Sequence, residues 1–111
     1  MDVPDYSNLN AEELAAKIGL KPKHIPMLID AFKAESEEIL GNLAIAIEQK
    51  NYEQIQHHAH SIKGSAGNLK FDKVYELARE MEFAGRDKNS DFDYEGVFRV
   101  ISEAIGTIAF V

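Results

Sequence analysis

The chain has 111 residues, of which 45 % are hydrophobic and 28 % charged, and its net charge of −7 with a pI near 5.0 disfavours non-specific binding to nucleic acid. It contains no cysteine, which excludes disulfides, thiolate zinc sites and thiol catalysis. The acidic start, Met1 to Asp5, lacks the segments of a signal peptide, and no run of about 18 apolar residues could span a membrane. These features predict a single cytoplasmic domain over residues 1–111, with neither nucleic acid nor a membrane as a partner.

The first two predicted helices are separated by a connection that contains proline. Asn10 is the predicted N-cap of a short helix that ends at Gly19. Pro22 and Pro26 mark the connection and the first turn of a second helix, which runs to about Lys50. The predicted apolar stripe of this second helix consists of Ile25, Ile29, Phe32, Ile39, Leu43 and Ile47.

Three more helices complete the prediction. Asn51 caps the third, from Tyr52 to Leu69, Asp72 caps the fourth, which ends near Gly85, and the last begins at Tyr94. Each helix has one apolar face and the links are short, which predicts an all-α fold: an antiparallel up-down four-helix bundle with a short additional N-terminal helix. The expected core positions of the last two helices are Val74, Leu77, Ala78, Met81, Tyr94, Val97, Phe98, Ile101, Ile105 and Ile108.

The third helix carries a histidine on its solvent side. At about 100° per residue, His60 falls opposite the apolar stripe, on the same side as Lys63, Gly64 and Gly67. A glycine inside a helix costs roughly 0.5–1 kcal/mol relative to alanine. Two of them on an exposed side therefore predict a surface that is kept clear for another molecule. The buried stripe of this helix is predicted to be Ile55, Ala59, Ile62, Ala66 and Leu69.

The segment from His60 to Leu69, with His-x-x-Lys-Gly followed by small residues, resembles the signature of histidine-containing phosphotransfer (HPt) domains. The helix pattern resembles that family over the whole chain. The resemblance implies a helical bundle whose histidine takes a phosphoryl group from an aspartyl phosphate on one receiver domain and gives it to another. His60 is then the phosphoacceptor, Lys63 neutralises charge on the phosphoryl oxygens, and Gly64 leaves room for the receiver.

Of two further positions, one matches the family pattern and one departs from it. The family commonly has a carboxylate or amide twenty-two positions after the histidine, which here is Glu82. An antiparallel hairpin of the third and fourth helices predicts a contact between Glu82 and His60 that would hold a proton on one ring nitrogen. Many members have a glycine ten positions after the histidine, where this chain has Lys70, so Asn68 is the candidate left-handed residue.

The resemblance also implies partners. Receiver domains are the expected donor and acceptor, and a hybrid sensor kinase is a further candidate partner. Mg²⁺ is expected on the receiver and no cofactor or metal on this chain, which we expect to be a monomer. Lacking a Gly-x-x-x-x-Gly-Lys loop, the chain is predicted to be a phosphoryl carrier without its own ATP site rather than an enzyme. The residues expected to dock the receiver are Gly64, Gly67, His57, Gln56, Ile18 and Leu28.

Three alternatives remain. A binding-only module would dock on a receiver without accepting phosphate, but the intact His60 and Lys63 argue against it. A metal-binding bundle could use Glu53, His57 and His60, although these residues face outward and lack partner ligands on other helices. A substrate domain of a chemotaxis-type kinase would precede other modules, and we expect none because the chain starts at Met1 and ends with its last helix.

Overall fold

Four long helices run up and down beside one another, and a short helix precedes them. The computed structural model describes all residues, 1–111. Helix α5 packs against α4 and α2, and α3 packs between α2 and α4, as predicted for an antiparallel bundle. None of the helices has the length and apolar content needed to traverse a lipid bilayer. The elements are α1 (Ala11–Ile18), a 3-10 turn (Pro22–His24), α2 (Ile25–Glu48), α3 (Tyr52–Asn68), α4 (Asp72–Arg86) and α5 (Tyr94–Gly106).

The buried face of α2 differs in part from the predicted stripe. Ser36, Leu40 and Ala46 are buried, although none of them was expected in the core. The buried positions of α2 recur about every 3.5 residues along the helix, so the register of packing, rather than the size of each side chain, decides which residues face inward. The predicted core residues that are only half buried, at the edge of the core, are Ile39, Ile47, Leu77 and Phe98.

Four helices end in the same left-handed turn. Gly19 ends α1 with a φ of 75°, as predicted, but the corresponding residues after α2, α3 and α4 are Lys50, Lys70 and Lys88, with φ of 53°, 62° and 53°. In each turn the next N–H donates to the carbonyl five residues earlier, which is the Schellman motif. The prediction that Asn68 turns the chain is therefore wrong. Asn68 is the last residue of α3, and Lys70 itself adopts the left-handed conformation.

The start of α4 also differs from the prediction. Asp72 is the first helical residue rather than the cap, and Phe71 occupies the cap position without a side-chain hydrogen bond. The carboxylate of Asp72 therefore lies in the first turn, where negative charge is favourable. By contrast, the side chains of Asn10 and Asn51 accept hydrogen bonds from backbone N–H groups at the starts of α1 and α3, as the caps were predicted to do.

The segment before α1 is hydrogen-bonded to the C-terminal segment of the chain. The N–H of Leu9 donates to the carbonyl of Ala109 over 2.9 Å, and the N–H of Ala109 donates to the carbonyl of Tyr6 over 3.0 Å. A third bond, of 2.9 Å, runs from Val111 to Leu9. The Tyr6 ring packs edge-on against Phe71, with 4.7 Å between centroids. Both ends of the chain thus lie beside the turn that joins α3 to α4.

Candidate functional site

His60 lies in the middle of α3 and points into solvent. Its side chain is 64 % exposed, although the helix is otherwise well packed. The exposure follows from periodicity, because the positions that bury this helix fall on the opposite side. The buried residues of α3, all of them predicted, are Ile55, Ala59, Ile62 and Ala66, and Leu69 is buried just beyond the helix.

Glu82 of α4 holds one nitrogen of the His60 ring. Its Oε2 lies 2.7 Å from Nδ1 of His60, across the antiparallel α3–α4 hairpin. An ionised carboxylate can only accept a hydrogen bond, so Nδ1 carries the proton and Nε2 carries the lone pair of the neutral ring. Nε2 has no hydrogen-bond partner in the structure. The ring therefore presents its nucleophilic nitrogen outward and its protonated nitrogen to the protein.

Lys63 contacts the same carboxylate. Its Nζ lies 2.6 Å from Oε1 of Glu82, and its side chain is only 20 % exposed. The approach does not have the angles of a directed hydrogen bond, so charge attraction holds this contact. The sequence predicted each residue's contribution separately. It did not reveal that the two oxygens of Glu82 are divided between the imidazole and the ammonium group.

The environment of Glu82 keeps its carboxyl group ionised. Glu82 is buried, with 8 % of its surface exposed, and burial alone would raise its pKa. The close contact and charge of Lys63, together with the hydrogen bond and charge of His60, act in the other direction and outweigh burial, so the pKa of Glu82 lies below its ordinary value. The carboxylate is therefore a fixed acceptor near neutral pH.

The two glycines that face the same way as His60 have different surroundings. A Cβ added to Gly64 would meet no atom within 4 Å, so the surface beside His60 is open there. A Cβ added to Gly67 would lie 3.1 Å from Cδ2 of Tyr75 on α4. The missing side chain of Gly67 thus accommodates the Tyr75 ring, a packing role that the sequence did not predict, and its part in receiver docking stays a prediction.

Gly85 makes a contribution that the sequence analysis missed. A Cβ at this position would lie 3.0 Å from the backbone nitrogen of Gln56 and 3.1 Å from the carbonyl oxygen of Tyr52. Gly85 therefore allows α4 to approach the backbone of α3 closely, one turn beyond Glu82. From the sequence, Gly85 is predicted only to end α4, although its position three residues after Glu82 places both residues on one side of the helix.

The remaining histidines of α3 lie near the site without joining it. His57 is exposed one turn before His60, and its ring packs edge-on against that of His58, with 5.2 Å between centroids. Burial, helped by the charge of His57, lowers the pKa of His58. Gln56 is half buried at the contact with α4. Nowhere in the structure are three His, Cys, Asp or Glu side chains grouped to hold a metal ion.

The two apolar residues expected to extend the docking surface are partly buried. Ile18 and Leu28 are half buried and pack against it. The apolar side chains of this region that are exposed are Leu20 and Met27, which were not predicted. Large side chains one or two positions from a buried stripe cannot be assigned to solvent or core from periodicity alone.

Comparison with known proteins agrees with this geometry. The model of the Hpt domain family matches residues 27–107, a region that includes the whole of α3 and α4. No curated protein and no solved structure matches the chain significantly. The chain therefore belongs to the Hpt domain family, whose members carry phosphoryl groups on a histidine in two-component signalling and interact with response-regulator receiver domains.

Proposed function

We propose that this protein relays a phosphoryl group from the aspartate of one receiver domain to the aspartate of a second, through Nε2 of His60. The observation that carries the proposal is the state of the ring: Nδ1 is held by Glu82 at 2.7 Å, and Nε2 is unpaired on a side chain that is 64 % exposed. A neutral imidazole oriented in this way is a competent nucleophile near neutral pH.

The transfer step follows from that orientation. The Nε2 lone pair attacks the phosphorus of the aspartyl phosphate in line with the bond to the carboxyl oxygen. As the N–P bond forms, the P–O bond breaks, and the receiver's carboxylate leaves with the bonding electrons. The Nδ1 proton stays on the ring, where the Glu82 carboxylate stabilises the positive charge that develops. Phosphoryl transfer depends mainly on such positioning and charge stabilisation.

Lys63 and Gly64 support the step in different ways. Lys63 is one turn from His60, and its ammonium group supplies positive charge for the phosphoryl oxygens. Because this group is paired with Glu82 before phosphate arrives, the proposal requires it to shift toward the phosphoryl group. Gly64 leaves open space next to the ring, through which the receiver's backbone approaches.

The other components belong to the partner. Mg²⁺ would be held by the acidic residues of the receiver, and this chain would need neither a cofactor nor an ATP site of its own. We propose that receiver docking also uses His57 and Gln56 beside His60, with Ile18 and Leu28 at the edge of the apolar region formed by the first helices. The protein would act in the cytoplasm as a monomeric single domain.

A panel of receiver domains, each phosphorylated with acetyl phosphate, tests the proposal. The wild-type protein should acquire acid-labile, base-stable label from at least one receiver and pass it to another. His60→Gln should take no label while its melting temperature stays close to that of the wild type, because the ring is exposed. Receivers that bind without transferring label, or label that persists in His60→Gln, would exclude the proposed relay.

A further inference from the structure

Two guanidinium groups stack on one exposed aromatic ring of α4. The Cζ atoms of Arg79 and Arg86 lie 5.2 Å and 4.7 Å from the centroid of the Phe83 ring. Phe83 is nevertheless 36 % exposed. We refer to Arg79, Phe83 and Arg86 as the α4 stack. Because each guanidinium already rests on the ring, less side-chain entropy remains to be lost when a partner binds.

The α4 stack borders the phosphotransfer site. Arg79 lies one turn before Glu82 and Arg86 one turn after it, so both begin on the side of α4 that carries the carboxylate held by His60. The pKa of Arg86 is raised by its hydrogen bond to Asp87 and, more weakly, by the charge of Glu82. The stack therefore begins one turn before and ends one turn after the residue of α4 that holds His60.

The charges of the α4 stack favour an anionic partner. Arg86 is paired with Asp87, 3.0 Å away, but Arg79 forms no ion pair with any carboxylate. An unpaired guanidinium is notable in a chain with a net charge of −7. Arginine and aromatic residues also dominate the binding energy of many protein interfaces.

We infer that the α4 stack is a second contact surface for the receiver that docks on His60, and that it selects the partner without taking part in the chemistry. This inference rests on the proposed function. A receiver that brings an aspartyl phosphate and Mg²⁺-binding carboxylates to His60 presents an acidic rim next to the reacting group. The rim would meet Arg79 and Arg86, and the exposed edge of Phe83 would give an apolar contact between them.

Two phosphoryl donors, a phosphorylated receiver and phosphoramidate, distinguish an effect on docking from an effect on the chemical step. Transfer is measured as a function of the concentration of the receiver that reacts fastest in the panel, and direct labelling of His60 is measured with phosphoramidate, which needs no docking. Phe83→Ala and Arg79→Ala should each raise the KM for the receiver about tenfold while the maximal rate and phosphoramidate labelling stay unchanged. Arg79→Glu, which reverses an exposed charge, should raise the KM further.

Arg99→Ala is the matched control. Arg99 is an exposed arginine on α5, paired with Glu103 at 3.7 Å, and α5 packs against α2 and α4 on the side of the bundle away from α3. This variant should behave as the wild type. An unchanged KM in the Phe83 and Arg79 variants would overturn the inference, as would an equal loss of phosphoramidate labelling. A wild-type protein that accepts label from neither source would instead contradict the proposed relay itself.

Discussion

At the scale of single residues, Glu82 contacts an imidazole and an ammonium group through separate oxygens. Oε2 faces the imidazole of His60 at 2.7 Å and Oε1 faces the ammonium of Lys63 at 2.6 Å. Since the carboxylate is buried, it can turn little without losing one of these contacts. The ring orientation and the position of the lysine are therefore set by the same group, and a change at Glu82 affects both.

Two substitutions of Glu82 separate its role as hydrogen-bond acceptor for His60 from its negative charge. In Glu82→Ala the His60 ring loses the acceptor that fixes its tautomer, so transfer should slow by about tenfold to a hundredfold. Glu82→Gln keeps an oxygen that can accept from Nδ1 and should retain more of the rate. Nitrogen-15 NMR of the ring provides the second measurement: the Nδ1–H tautomer should dominate in the wild type and lose population in Glu82→Ala. An unaltered tautomer in that variant would contradict the assigned role.

The pH dependence of stability follows from the same carboxylate. Its pKa in the folded protein lies below the ordinary value of 4.5, so ionised Glu82 stabilises the fold above that pH. The contribution is lost as the pH falls through the folded-state pKa. In urea denaturation, the difference in unfolding free energy between the wild type and Glu82→Gln should be larger above about pH 4.5 than below it, where the wild-type carboxyl group becomes protonated. Glu37→Gln, at an exposed residue without an ion pair, should show no such dependence.

The open surface at Gly64 has a matched control elsewhere in the bundle. A Cβ at Gly64 or at Gly41 of α2 would meet nothing within 4 Å, and both glycines are exposed inside helices. Gln should therefore be tolerated at both positions and should raise helix stability by a few tenths of a kcal/mol, about half the usual glycine penalty. Only Gly64→Gln should block transfer from a receiver. Equal transfer rates in the two variants would show that the space beside His60 is not required.

Residue-level prediction from the sequence succeeded where helix geometry alone decides the outcome. The exposure of His60 follows from the 3.6-residue period of the apolar stripe on the opposite side of α3. Glu82 was identified by its place in the family pattern, and the antiparallel packing of α3 and α4 brings it within reach of His60. The sequence did not predict packing that depends on a side chain from a neighbouring helix. Gly67 and Gly64 share a helix side, but only the Tyr75 ring, which comes from α4, distinguishes them.

At the scale of elements, three helices end in a residue type that disfavours the required conformation. A left-handed residue other than glycine costs roughly 1–2 kcal/mol, and Lys50, Lys70 and Lys88 all adopt it. The turns persist because the Schellman hydrogen bonds outweigh that cost, and after Lys70 the burial of Phe71 adds to them. The lysine conformations could not be predicted from the sequence, since lysine gives no local signal for a left-handed turn.

Glycine at these positions should therefore stabilise the fold. Relief of the left-handed strain exceeds the extra entropy of glycine in the unfolded chain, so Lys70→Gly should raise the unfolding free energy by about 0.5–1 kcal/mol. Lys73→Gly serves as the opposite control, because Lys73 has ordinary helical geometry in α4. It should lower the unfolding free energy by up to about 1 kcal/mol. Thermal and urea denaturation measure both effects, and a loss of stability in Lys70→Gly would refute the explanation.

At the scale of the whole molecule, the two chain ends close one end of the bundle. The backbone bonds between residues 6–9 and 109–111 fix the N-terminal segment across the α3–α4 turn. Tyr6 is anchored further by its own N–H, which donates to Oγ1 of Thr107 over 2.8 Å. The helices were predictable from their caps and stripes, but this closure was not, because it depends on contacts between residues about one hundred positions apart.

Tyr6 connects this closure to the helix that carries Glu82. Burial raises the pKa of the Tyr6 hydroxyl, and the backbone N–H groups of Val74 and Lys73 oppose the rise, which places the oxygen near the start of α4. Phe71 gives α4 no side-chain cap, so the first N–H groups of α4 lack a partner from the helix's own cap position. The contacts of the Tyr6 hydroxyl fall short of full hydrogen-bond geometry, so the oxygen acts mainly through its dipole.

Tyr6→Phe tests this connection, because it keeps the ring against Phe71 and removes only the hydroxyl. The unfolding free energy should fall by less than about 0.5 kcal/mol, below the range for losing a hydrogen-bonded helix cap, because the hydroxyl lacks full hydrogen-bond geometry. Hydrogen exchange should accelerate at the amides of Lys73 and Val74, while the first turn of α3 keeps its protection because Asn51 caps it independently. Tyr6→Ala should cost more, since it also removes the aromatic contact. If exchange at Lys73 and Val74 were equal in Tyr6→Phe and the wild type, the hydroxyl would contribute nothing to α4, and the ring alone would fasten the N-terminal segment.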